Sequence, residues 1–166
     1  GFGEITFTAQ SGETMLTHLY HKEPLKILLP KPGNGDIKQA VLLNTGGGIV
    51  GGDIISLDAR LKHNSQAILL AGSAEKVYKT SENLSNINVN LSAGPNTWLE
   101  YIPQETILFN ESKLIRKTKI MTPLENHFPI IYTHFCKEDW YKCLVKKCGA
   151  VLLQILGVLF VPQGYF

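Results

Sequence analysis

Apolar and polar residues alternate along most of the chain with a period of two, which is the spacing of a half-buried β-strand rather than a helix. Ile5, Phe7 and Ala9 alternate with Glu4, Thr6 and Thr8; Ser11-Gly12 punctuates, and Thr14 to Tyr20 resumes in β-favouring residues, so the chain opens as a hairpin. Leu25 to Leu29 is a short apolar run closed by Pro30, Pro32, Gly33 and Gly35, and a further strand is expected over Ala40 to Leu43. Ile55, Leu57, Ala59 and Leu61 alternate with Ser56, Asp58, Arg60 and Lys62, and after a turn at His63-Asn64-Ser65 comes Gln66 to Ala71. Ile87, Val89 and Leu91 alternate with Asn86, Asn88 and Asn90, and Thr97 to Ile102, Thr106 to Phe109 and Lys113 to Ile120 complete the series. Short strands at this spacing predict an all-β domain of mainly antiparallel or mixed stacked sheets with meander connections, covering residues 1–120.

The alternation stops after Ile120. Residues 121–166 form an unpatterned tail in which Val145 to Phe160 reads as either one helix or a strand, because a continuous apolar run does not discriminate. Its longest apolar run, Gly149 to Val161, is shorter than the roughly 20 residues that cross a bilayer, so no membrane span is expected.

The strands run into and out of one conspicuous loop. From Leu42 to Asp53 the chain reads LLNTGGGIVGGD, a density of glycine that marks a sharp turn or a close backbone approach. Gly46, Gly48 and Gly51 have the spacing of a dinucleotide-binding fingerprint, but that chemistry needs a helix to start at the last glycine, and the alternation beyond Ile54 denies it. A phosphate-binding P-loop fails too, since Gly52 is followed by Asp53 and Ile54 instead of Lys and Ser or Thr. What remains is strand, glycine corner, strand, with Asp53 at the exit.

Composition narrows the function classes. With 166 residues, 44% hydrophobic and only 18% charged, the chain has enough apolar material for one cored domain. A net charge of +2 without a basic stripe argues against nucleic acid. Cys136, Cys143 and Cys148 lack paired zinc spacing and read as reduced thiols, in keeping with a cytoplasmic protein. His18, His21 and His63 read as ordinary surface histidines, and His18 and His21, three apart, fall on opposite faces of a strand. Asp53 and Glu105 stand at strand breaks, where functional side chains are displayed and where acids also satisfy turn amides. Lys76-Val77-Tyr78-Lys79 reads as an edge strand guarded by lysines. No nucleophile with a base, carboxylate pair or metal cluster stands out, which favours binding or scaffolding over catalysis.

Three stretches in order, TGGGIVGGD at Thr45 to Asp53, AEKVYK at Ala74 to Lys79 and PQETILF at Pro103 to Phe109, together resemble the urease accessory protein family UreD, also called UreH, over about residues 5–120. The resemblance implies a β-rich, non-enzymatic chaperone that binds apo-urease, UreF and the GTPase UreG and assists nickel insertion. In it nickel is a transferred ion and no cofactor is held stably. Carried over by position, the interaction and motif residues are Gly46, Gly47, Gly48, Gly51, Gly52, Asp53, Lys76, Tyr78, Pro103, Gln104, Glu105 and Phe109, and Asp53 with Glu105 would line a transient nickel path. Family members are longer, and the tail after Ile120 does not resemble their continuation, which is the pattern of a truncated or frameshifted chain; truncation would leave sheet edges open. The alternative is a β-sandwich module for carbohydrate or peptide, against which Trp98 and Tyr101 fall on opposite strand faces.

Overall fold

The computed structural model describes residues 1–81, 83–122, 130–132, 136–137 and 144–148. Its elements are β1 (Phe2–Gln10), β2 (Glu13–Lys22), β3 (Leu25–Leu28), β4 (Lys38–Asn44), β5 (Ile54–Leu61), β6 (Gln66–Ala71), β7 (Glu75–Val77), β8 (Ser85–Ala93), β9 (Trp98–Ile102), β10 (Thr106–Leu108), β11 (Leu114–Met121), β12 (Ile130–Tyr132), β13 (Cys136–Lys137) and β14 (Leu144–Cys148). No helix occurs among the described residues, so the all-β expectation holds.

The strand order departs from the expected meander. The first sheet runs β14-β11-β8-β5-β1-β2, the second β12-β9-β6-β4-β3 and the third β13-β10-β7. Only β1–β2 and β3–β4 pair antiparallel; the other strand pairs are parallel. From β5 the chain visits the three sheets in turn and returns to the first at β8, β11 and β14, so each circuit takes about 30 residues and lies on the one before. The result is a three-sided parallel coil, started by the β1–β2 hairpin and the β3–β4 pair. Meander and coil share short alternating strands and turns; the alternation says which face is buried but not which strand is the neighbour.

Parallel in-register stacking turns the alternation into interior ladders. Ala59 lies beside Leu91 and Leu91 beside Ile120, and all three are buried. Leu57, Val89 and Thr118 form the next ladder, and Ala40, Leu69 and Tyr101 form one on the second sheet. Each buried Leu or Ile contributes about 1.5–3 kcal/mol. At the closed end of β1–β2 the two-residue turn places Ser11 and Gly12 at φ 51° and 83°, the twist that suits a tight hairpin.

Of the tail, Ile130–Tyr132 pairs with β9, Cys136–Lys137 with β10 and Leu144–Cys148 with β11. The remainder of Val145 to Phe160, where a helix was one expectation, Cys143 and the apolar run from Gly149 lie outside the described residues. No helix among the described residues is long and apolar enough to cross a membrane.

Candidate functional site

The glycine corner is held from its first residue. Thr45 gives its backbone N–H and its hydroxyl to the Pro24 carbonyl at 2.8 and 3.1 Å. The Asn44 side chain accepts from the Gly46 N–H at 2.9 Å, and its amide reaches the Gly48 carbonyl at 3.2 Å and Glu75 Oε1 at 2.9 Å. Asn at the end of a strand, closing a turn on its own backbone, is what asparagine does best. Ile49 is then drawn inward, fully buried, as a one-residue parallel strand against β7: its N–H donates to the Lys76 carbonyl at 2.7 Å, and its carbonyl accepts from the Tyr78 N–H at 2.8 Å.

On its other side β7 pairs with β10, where Glu75 N–H donates to the Glu105 carbonyl at 2.8 Å and Phe109 N–H to the Val77 carbonyl at 3.0 Å. The three sequence stretches that lie far apart in the chain therefore form one small ladder: glycine corner, AEKVYK, PQETILF. β7 is the edge strand of the third sheet, as expected for this lysine-bearing stretch, and its outer side is covered at one residue, where Ile49 bridges to the fully buried Val77.

Two glycines are sterically required. Gly48 has φ +152°, and a Cβ there would enter the Tyr78 ring and stand 3.0 Å from the Lys76 carbonyl; one on Gly51 would run into the Thr80 side chain and stand 2.9 Å from the Asn83 carbonyl. Gly47 offers its carbonyl to the Tyr78 hydroxyl at 3.3 Å, and Gly52 turns the chain into β5. Asp53 is used locally: its carboxylate accepts from the Val50 N–H at 3.0 Å, and its carbonyl accepts from Asn86 N–H at 2.8 Å.

The outer face of this ladder carries exposed apolar side chains beside charged ones. Tyr78 and Phe109 stack with ring centroids 5.2 Å apart and planes 12° from parallel, yet remain 38% and 44% exposed. Val50 and Leu84 are exposed as well, and between them the Ser85 hydroxyl donates to the Val50 carbonyl at 2.9 Å. Lys76 is exposed on the same outer side of β7, and Lys79 forms an exposed ion pair with Glu111. Glu105 is exposed, whereas Pro103 is buried.

Behind the same ladder, among the buried side chains of Ile49, Val77, Ile55 and Ile87, lies a polar cluster that the sequence alone did not reveal. Glu75, on the inward side of β7, meets a cavity of about 70 Å³ lined by Asn44, Tyr101, Pro103, Gln104 and Arg116 among others. Arg116 occupies the inward position that Ile55 and Ile87 hold in the preceding circuits, and its Nη1 donates to Thr106 Oγ1 at 3.0 Å. Burial lifts the Glu75 carboxyl above the usual 4.5; the Asn44 hydrogen bond and the Arg116 guanidinium pull it back down, and Asp53 adds a push upward. Burial likewise raises the Tyr101 phenol, against Arg116, so it stays neutral. Arg116 was legible as a cation in a core slot of an alternating strand, and Asn44 as a turn-former ahead of the glycines; nothing in the sequence joined them to Glu75.

No group of three or more His, Cys, Asp or Glu that would hold a metal occurs among the described residues. The arrangement is a hydrogen-bonded corner with exposed apolar side chains on its outer surface and a polar cluster behind it. It suits recognition of another macromolecule.

Residues 1–123 match the family described as UreD urease accessory protein. The chain is 32% identical over 120 residues to the urease accessory protein UreD of Magnetococcus marinus, covering 72% of this chain and 42% of that one. It is 36% identical over 116 residues to the urease accessory protein UreD 1 of Brucella anthropi, covering 70% and 41% respectively. The chain thus spans about two fifths of the length of these curated relatives. On this match, over a region that contains the glycine corner and both strands paired around it, the chain belongs to the UreD family of urease accessory proteins.

Proposed function

We propose that this protein is a non-enzymatic scaffold of urease maturation in the cytoplasm, which binds apo-urease together with UreF and UreG while nickel is inserted into the urease active site. Family membership supports the process, and the convergence of all three motif stretches on one exposed apolar corner is the observation that carries the binding role. Stacked aromatics that stay a third or more exposed, on a backbone locked by hydrogen bonds, are a pre-organised contact surface.

Nickel is cargo in this reading, and Asp53 and Glu105 are its transient contacts. Oxygen donors of this kind hold a borderline divalent cation weakly enough to release it. The test is to co-express the full chain with a urease and its other accessory proteins and measure co-purification and urease nickel content. We expect UreF, UreG and apo-urease to co-purify with it. Asp53→Asn with Glu105→Gln, which keeps the oxygen that accepts from Val50 N–H, should leave that complex intact and lower urease nickel several-fold. Unchanged nickel would remove these two residues from the path, and failure to capture any of the three partners would overturn the scaffold reading.

A further inference from the structure

β2 ends the first sheet and carries ten residues, Glu13–Lys22, with no strand on its outer side among the described residues. Its outward N–H and C=O groups form a pairing template, and Met15, Leu16, Leu19 and Tyr20 are each more than a third exposed, which is unusual for an edge that a protein keeps solvated.

The pairing with β1 contains an irregularity that decides what can dock there. Thr6 opposes His18 and Phe7 opposes Leu16, so Thr17 is an extra residue on β2. Leu16 and Leu19 therefore both lie on the side of buried Phe7 and Ile5, while Met15 and Tyr20 lie on the other side, opposite Thr8 and Glu4. In a regular strand, residues 16 and 19 would point to opposite faces. Two antiparallel copies related by a two-fold axis bring together residues on the same face, so only a bulged strand allows 16 to meet 19.

We infer that β2 is a self-pairing edge, joining two copies of this chain about a two-fold axis level with Thr17 and His18. In that register Leu16 of one copy meets Leu19 of the other, Met15 meets Tyr20, Thr14 meets His21, and Glu13 meets Lys22. The apolar pairs fall at the centre and opposite charges fall at both ends, so one register satisfies face, hydrophobicity and charge together. A second copy is the occupant because the strand is complementary to itself.

Sedimentation equilibrium of the full chain under reducing conditions tests this. The expected result is a reversible dimer that Glu13→Lys or Lys22→Glu alone weakens by about tenfold, since each places two like-charged pairs across the seam. Mixing the two single variants, or combining both changes in one chain, should restore dimerisation, which a variant that merely misfolds would not do. A monomer throughout the concentration range, a dimer indifferent to the reversals, or reversals that the mixture fails to rescue would each overturn the inference.

Discussion

Gly48 and Tyr78 behave as one steric unit: the ring occupies the space a side chain at 48 would need, and its hydroxyl reaches the Gly47 carbonyl. Gly48→Ala is expected to cost about 1–3 kcal/mol in urea unfolding, because the added Cβ would stand 3.0 Å from the Lys76 carbonyl, displace the Tyr78 ring and hold a side chain at a φ of +152°. Glu75 gives a residue-scale prediction with a sign. Its carboxyl is raised in the folded protein, so folding favours the protonated form; its contribution is fully present below about 4.5 and is lost as pH rises through the higher folded value. Gln retains an oxygen for the Asn44 amide without a charge to desolvate. Glu75→Gln should therefore unfold at a higher temperature than the parent at pH 7, and the difference should vanish as pH falls toward 4. A lower melting temperature at pH 7 would mean that the Arg116 attraction outweighs burial. The glycine corner itself was readable, since no other residue type explains that density; Glu75 was not, because a lone Glu in a short strand carries no mark of the Asn44 and Arg116 that surround it.

At the scale of elements, the alternation placed the strands well because burial follows it directly. β8 shows this along its whole length: Ser85, Ile87, Val89, Leu91 and Ala93 are buried, with half-exposed residues between. Pairing was not legible, since a strand buried on one face looks the same whether its neighbour precedes it by one turn or by a whole circuit. The spacing from β5 to β8 to β11 was the available clue, an equal interval that the meander reading passed over. Leu91 touches the ladders of both adjoining circuits, Ala59 on one side and Ile120 on the other. Leu91→Ala should cost about 2–5 kcal/mol, whereas Lys119→Ala, on the exposed face of β11, should change stability by less than about 0.5 kcal/mol. Denaturant unfolding of the two variants distinguishes a packed coil interior from a loosely stacked one.

For the whole molecule, the parallel coil explains how stretches some 30 residues apart become neighbours: β7 and β10 occupy the same side in successive circuits, and the glycine corner enters beside them. The resemblance read from three short motifs and the ladder built from them are thus the same fact at two scales. The proposed binding role rests on the faces of that ladder, with the Asn44 hydrogen bond to Glu75 inside and Tyr78 with Phe109 presented outside. The most direct measurement is urease activation in cells that supply the other accessory proteins, comparing the parent chain with Tyr78→Ala combined with Phe109→Ala. Both side chains are part-exposed, so circular dichroism should show the fold retained. Loss of urease activity, with loss of co-purifying partners, is the result expected. Activation at the parent level by the folded double variant would contradict the assignment of this corner as the contact surface.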